Sequence, residues 1–292
     1  MNSRNIIKKS INEVLGVPDN IYETSLQIYE KLLRASKKLD KDDFENYGAR
    51  LNFRGQFNIS DFPFTGIKFQ LGIEENKLAK EPEIVSMVIR SESKKEDLKL
   101  IPINSKTLDL LMIFVVPIGF DYSTLPDVLI ENKDTIVENL THELKHAYDH
   151  FKKPSDSAIE RSSYQSIVGK SIGVPSADKF IYYMYYISAI ENLVRPSEIY
   201  AAIRNKKITQ KDFLNFLRDN ETYKILKEIS EFSLEKLKQD LKGDIKYINK
   251  VLKKGGFDVD NMSDIVKINT ILDRKSTRLN SSHGYISYAV FC

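Results

Sequence analysis

Near residue 120 the hydrophobic pattern of the chain changes its period, and this limits the folds open to it. Before that point, apolar or small residues fall at every second position. They are Leu51, Phe53, Gly55, Phe57 and Ile59, then Ile67, Phe69, Leu71 and Ile73. Side chains two apart share one face of a strand, so both runs are expected to be half-buried strands. Residues 84–89 and 98–103 read as two more strands around a polar turn at 91–97. The apolar run 108–116, broken only by Asp109, reads as a buried strand. Residues 49–118 are thus expected to form a sheet of four or five strands, mostly antiparallel or mixed, because several connections are short.

After Ser123 the period is helical. Ser123-Thr124 are expected to cap a short helix begun by Pro126. Further helices are expected over 133–151, closed by Pro154, then over 177–193, and over 196–204, opened by Pro196. Two more follow over 209–218, where Thr209 and Asp212 resemble a capping box, and over 221–253, closed by Gly255-Gly256. Upstream, residues 5–39 read as two helices separated by Gly16-Val17-Pro18-Asp19. A sheet followed by helices is an α+β arrangement. The expected organisation is a pair of N-terminal helices (1–40), one domain (41–274, its helical part at 156–274) and a tail (275–292). The tail, KSTRLNSSHGYISYAVFC, turns Ser-rich and resembles translated sequencing-adapter read-through, so it is expected to be non-native.

With 292 residues, 41% of them hydrophobic, the chain is long enough for a sizeable core. The net charge is +3 and the lysines are dispersed among acids, which is unlike the basic face of a dedicated nucleic-acid binder. The single cysteine, Cys292, allows no intrachain disulfide and no cysteine-based zinc knuckle. No signal peptide is expected at the N-terminus. The longest apolar run, 108–120, is too short for a membrane span and contains Asp109 and Pro117. A cytoplasmic or virion-associated location is expected, with no membrane partner.

Three of the four histidines lie in His142-Glu143-Leu144-Lys145-His146-Ala147-Tyr148-Asp149-His150. The stretch contains H-E-x-x-H, and on a helix residues four apart share a face. Ile136, Leu140, Leu144, Ala147 and Phe151 form an apolar stripe, and His142 lies about 200 degrees from Leu140. The helix can therefore pack by one side and offer two imidazoles on the other. The competing reading is a pair of solvated histidines on an ordinary amphipathic helix. His150 is a poor third ligand, because it lies about 12 Å along the helix from His142, against Zn–N bonds of about 2.0–2.1 Å. A carboxylate from elsewhere is needed. Glu198, in Arg195-Pro196-Ser197-Glu198-Ile199-Tyr200-Ala201-Ala202, is the first candidate, with small alanines one turn on to allow close approach. Glu191 is its rival, and Asp149 and Glu160 remain open.

The segment 139–147 resembles the active-site helix of the zincin metallopeptidases. The Pro196–Ala201 segment is similar to the third-ligand helix of their gluzincin branch, and small viral H-E-x-x-H peptidase domains are also similar. The resemblance implies a zincin-like fold whose edge strand binds the substrate backbone, with 108–116 the strand nearest in sequence to the active-site helix. It implies zinc held by His142, His146 and Glu198, and hydrolysis of a peptide or protein substrate. Glu143 would act as general base on a metal-activated water. Tyr148, His150, Tyr200 and Arg195 are candidate oxyanion donors, and Asn139 or Asp149 could orient an imidazole. A reading from another class is a helical interaction or virion protein whose zinc site is structural or degenerate. The aromatic run 180–187 has only Lys179 nearby, so it reads as a buried helix and not as a base-stacking platform.

Overall fold

The sheet has four strands in the order β1 (Arg50–Gln56), β2 (Gly66–Asn76), β4 (Thr107–Pro117), β3 (Glu83–Arg90). The computed structural model describes residues 18–38, 50–56, 66–90, 107–152, 175–186, 189–209 and 211–231. Strands β1 and β3 are antiparallel to their neighbours, whereas the two inner strands run parallel, paired from Gly66 with Thr107 to Asn76 with Pro117. The protein thus mixes α and β structure, and the sheet is mixed with antiparallel edges.

In β2 the alternation holds: Ile67, Phe69, Leu71 and Ile73 are all buried, and the residues between them are not. Strand β4 is buried along nearly its whole length, from Leu108 through Val116. A central strand covered on both faces needs such a continuous apolar run. Two expectations change here. The strand over 107–117 is central, so it cannot be the exposed edge; the edge on that side is β3. β3 also follows β2 in sequence after a short link, yet β4 lies between them. Residues 98–103, expected as a strand, lie outside the described residues, as do 1–17 and 232–292.

The chain divides into two compact units. One comprises Val17–Pro154 with Ala201–Asn205, and the other Met1–Gly16, Ser155–Tyr200 and Lys206–Cys292. In the first, helix α1 (Asp19–Ser36) precedes the sheet. Helices α2 (Leu125–Glu131) and α3 (Lys133–Lys152) follow it. Thr124 stands at the α2 N-cap with a proline in the first turn, as expected. Its hydroxyl, however, bonds back to the Asp121 carbonyl at 2.6 Å instead of capping the helix. Helix α3 packs on α1 and on the edge strand β3. Ile136, Leu140, Leu144 and Ala147 are buried, and each large side chain so buried is worth about 1.5–3 kcal/mol relative to exposure. Thr141 adds a buried polar tie, its hydroxyl 3.0 Å from that of Ser25 on α1.

The second unit contains helix α4 (Pro175–Tyr186), most of helix α5 (Ala189–Asn205), α6 (Phe213–Asp219) and α7 (Glu221–Glu231). The last turn of α5, Ala201–Asn205, belongs to the first unit. There the Tyr22 hydroxyl donates to Asn205 at 2.8 Å, and Arg204 pairs with Glu23 at 2.9 Å. Pro196 does not open a helix: α5 runs through it. An interior proline removes a backbone bond and costs about 3 kcal/mol. Arg195 bridges that point from both sides, to Glu191 one turn back and to Glu198 one turn on. Glu198 is therefore not in a first helical turn. Among the described residues, no helix is long and apolar enough to cross a membrane.

Candidate metal centre

Helix α3 presents its two histidines together because four residues turn about 400 degrees, leaving them about 40 degrees apart. Their Nε2 atoms are 3.0 Å apart, and the rings are nearly perpendicular with centroids at 4.6 Å. The histidines are not solvated surface groups: His142 is 6% exposed and His146 5%. Glu191 on α5, 6% exposed, completes a group in which one ligand atom from each residue lies within 4.8 Å of the others. A buried group of two imidazoles and one carboxylate can hold a metal ion. Two nitrogens bound tetrahedrally to zinc at about 2.0–2.1 Å would stand about 3.3 Å apart, close to the separation seen. Glu143, between the histidines in sequence, is only part-buried.

The structure places Glu198 differently from Glu191. Its Oε1 accepts from Arg195 Nη1 at 2.5 Å and its Oε2 from the Thr222 hydroxyl at 2.7 Å. Glu198 is buried but is not part of the converging group. The residue brought to the histidines is its sequence rival, Glu191, which also pairs with Arg195 at 3.0 Å. Asp149 is held by Lys145 Nζ at 2.6 Å. Glu160 and the His150 side chain lie outside the described residues. Among the oxyanion candidates, Arg195 is committed to two carboxylates, Tyr200 is buried and Tyr148 is half-buried.

Arg195 also lies over the Tyr186 ring, 4.3 Å from its centroid. Burial pulls this guanidinium's pKa down, but Glu198, Glu191 and Tyr186 outweigh it and hold the proton more firmly than in a free arginine. Burial, aided by the charge of Glu198, raises the Tyr186 phenol well above its ordinary value. The signal for this network was present in the chain as the spacing Glu191, Arg195, Glu198, which puts an arginine within one helical turn of two acids. Thr222, which decides the state of Glu198, left no local signal. The aromatic run contributes Tyr186 as a buried partner of this arginine, with Tyr183 also buried.

Comparison with known proteins returns no matching family model, no matching curated protein and no matching solved structure.

Proposed function

We propose that the protein is a zinc-dependent metallopeptidase of zincin type, with His142, His146 and Glu191 as the metal ligands and Glu143 as general base. The single observation that carries this reading is the buried convergence of two imidazoles and a carboxylate around an H-E-x-x-H helix. The donor set suits zinc, a borderline-soft cation commonly bound by nitrogen and carboxylate oxygen. The zincin-like reading of the fold is supported by a mixed sheet whose antiparallel edge strand, β3, packs on the histidine helix. A zinc ion held by these three groups would supply a Lewis acid and a water of lowered pKa. His142, His146 and Glu191 would hold the ion and leave it open to that water.

The chain's own part is proton transfer and orientation. Glu143 is one residue from His142 and three from His146, so its carboxylate stands on the flank of the ligand face. Its partial exposure gives water access while the ligands stay buried. It takes a proton from the attacking water and returns it to the leaving amine. The test is Glu143→Gln. The variant is expected to keep about one zinc per chain and lose peptide hydrolysis at least about 100-fold, the scale of one lost general base. Digestion of a peptide library by variant and parent at equal rates overturns the assignment. Zinc without hydrolysis by the parent favours a structural site instead.

A further inference from the structure

Glu198 is buried and Arg195 half-buried, and neither belongs to the three-ligand group, yet they form its immediate support. We infer that Arg195 is a positioning residue for Glu191, and that Glu198 anchors Arg195 in that role. The inference deepens the proposed zinc site and rests on it.

The geometry forms a chain of contacts. Thr222 on α7 donates to Glu198 at 2.7 Å, Glu198 accepts from Arg195 at 2.5 Å, and Arg195 reaches Glu191 at 3.0 Å. The arginine uses Nη1 for one acid and Nη2 for the other. A planar fork can serve two carboxylates at fixed angles, which a lysine ammonium on a flexible stem cannot do equally well. The Tyr186 ring, 4.3 Å away, holds the guanidinium from its face. A buried charge survives only if it is paired, and here one cation is shared by two anions. The closer contact is with Glu198, so that acid is the firmer anchor of the guanidinium. The ion pair thus favours one placement of the Glu191 carboxylate before any cation arrives. Groups that orient a ligand in this way change metal affinity about 10- to 100-fold when removed.

The test is a double-mutant cycle on the full chain. Zn²⁺ affinity is read by competition with a chromophoric chelator in the parent, Arg195→Met, Glu191→Gln and the double variant. Arg195→Met is expected to weaken zinc about 10- to 100-fold in the parent background and less than about twofold once Glu191 is already replaced. Arg195→Lys is expected to recover part of the loss. Equal losses in both backgrounds would mean that Arg195 only supports the scaffold, and an unchanged affinity in Arg195→Met sinks the inference outright. If Arg195→Met does not fold, Glu198→Gln takes its place, with a smaller loss and the same dependence on Glu191. A loss with Glu198→Gln that persists without Glu191 makes Glu198 a ligand and overturns the inference. A parent that binds no zinc overturns both this inference and the metallopeptidase reading. A parent that binds zinc but hydrolyses nothing overturns the peptidase reading alone.

Discussion

Helix α3 is oriented by apolar packing, whereas the charged side chains in the middle of helix α5 are held in an ion network. On α3, Ile136, Leu140, Leu144 and Ala147 are buried, and Thr141 meets Ser25 of α1. That packing sets the rotation of the helix, and the histidines follow from their spacing. On α5, Glu191, Arg195 and Glu198 bind one another along a single helix across an interior proline. The contrast shows two ways of orienting a side chain. Apolar packing orients a whole face, and any residue on that face shares the orientation. An ion network holds one carboxylate and leaves its neighbour, about two turns away, in a different role.

The largest effect that would break this contrast is on the metal itself. His146→Ala removes one of the three proposed ligands, so metal analysis is expected to fall from about one zinc per chain to almost none at neutral pH. Zinc kept at the parent level would place the ion elsewhere and leave the two helices with nothing in common. Next is the packing that orients α3. Leu140→Ala should cost about 2–5 kcal/mol in urea unfolding, through lost burial and the cavity left behind. A cost below about 1 kcal/mol would show that α3 is not held mainly by its apolar stripe.

The smallest effect sharpens the α5 side. Burial and the charge of Glu198 raise the Tyr186 pKa, so the folded chain holds that proton longer than the unfolded chain does. The associated stability is fully present below the unfolded phenol's pKa of about 10 and is lost as pH rises beyond it. Denaturant titrations between about pH 10 and 12 should therefore show a shallower loss for Tyr186→Phe than for the parent. Parallel pH profiles would remove Tyr186 from the network. Tyr22 and Tyr29 are raised by burial as well, so some alkaline loss should remain in the variant.

Much of the architecture could be read along the chain. The alternation in β2, the continuous apolar run of β4 and the bounds of α3 follow from local periodicity, which backbone geometry imposes on any strand or helix. The order of strands could not be read in this way. β4 pairs with both β2 and β3 through contacts between residues far apart in sequence, and neither pattern states its neighbour. Pro196 misled for a related reason. A proline in helical texture usually marks a start, but here the ion pairs of Arg195 span it.

The site divides along the same line. The convergence of His142 and His146 was legible because a spacing of four on a helix puts two rings on one face whatever the rest of the chain does. The choice between Glu191 and Glu198 was not legible. Both are acids near a helical arginine, and propensity and spacing treat them alike. What separates them is a hydroxyl at residue 222, which together with Arg195 occupies Glu198, while Glu191 converges on the imidazoles. Short-range geometry can place a pair of imidazoles, but which carboxylate converges on them depends on which distant groups hold its competitors.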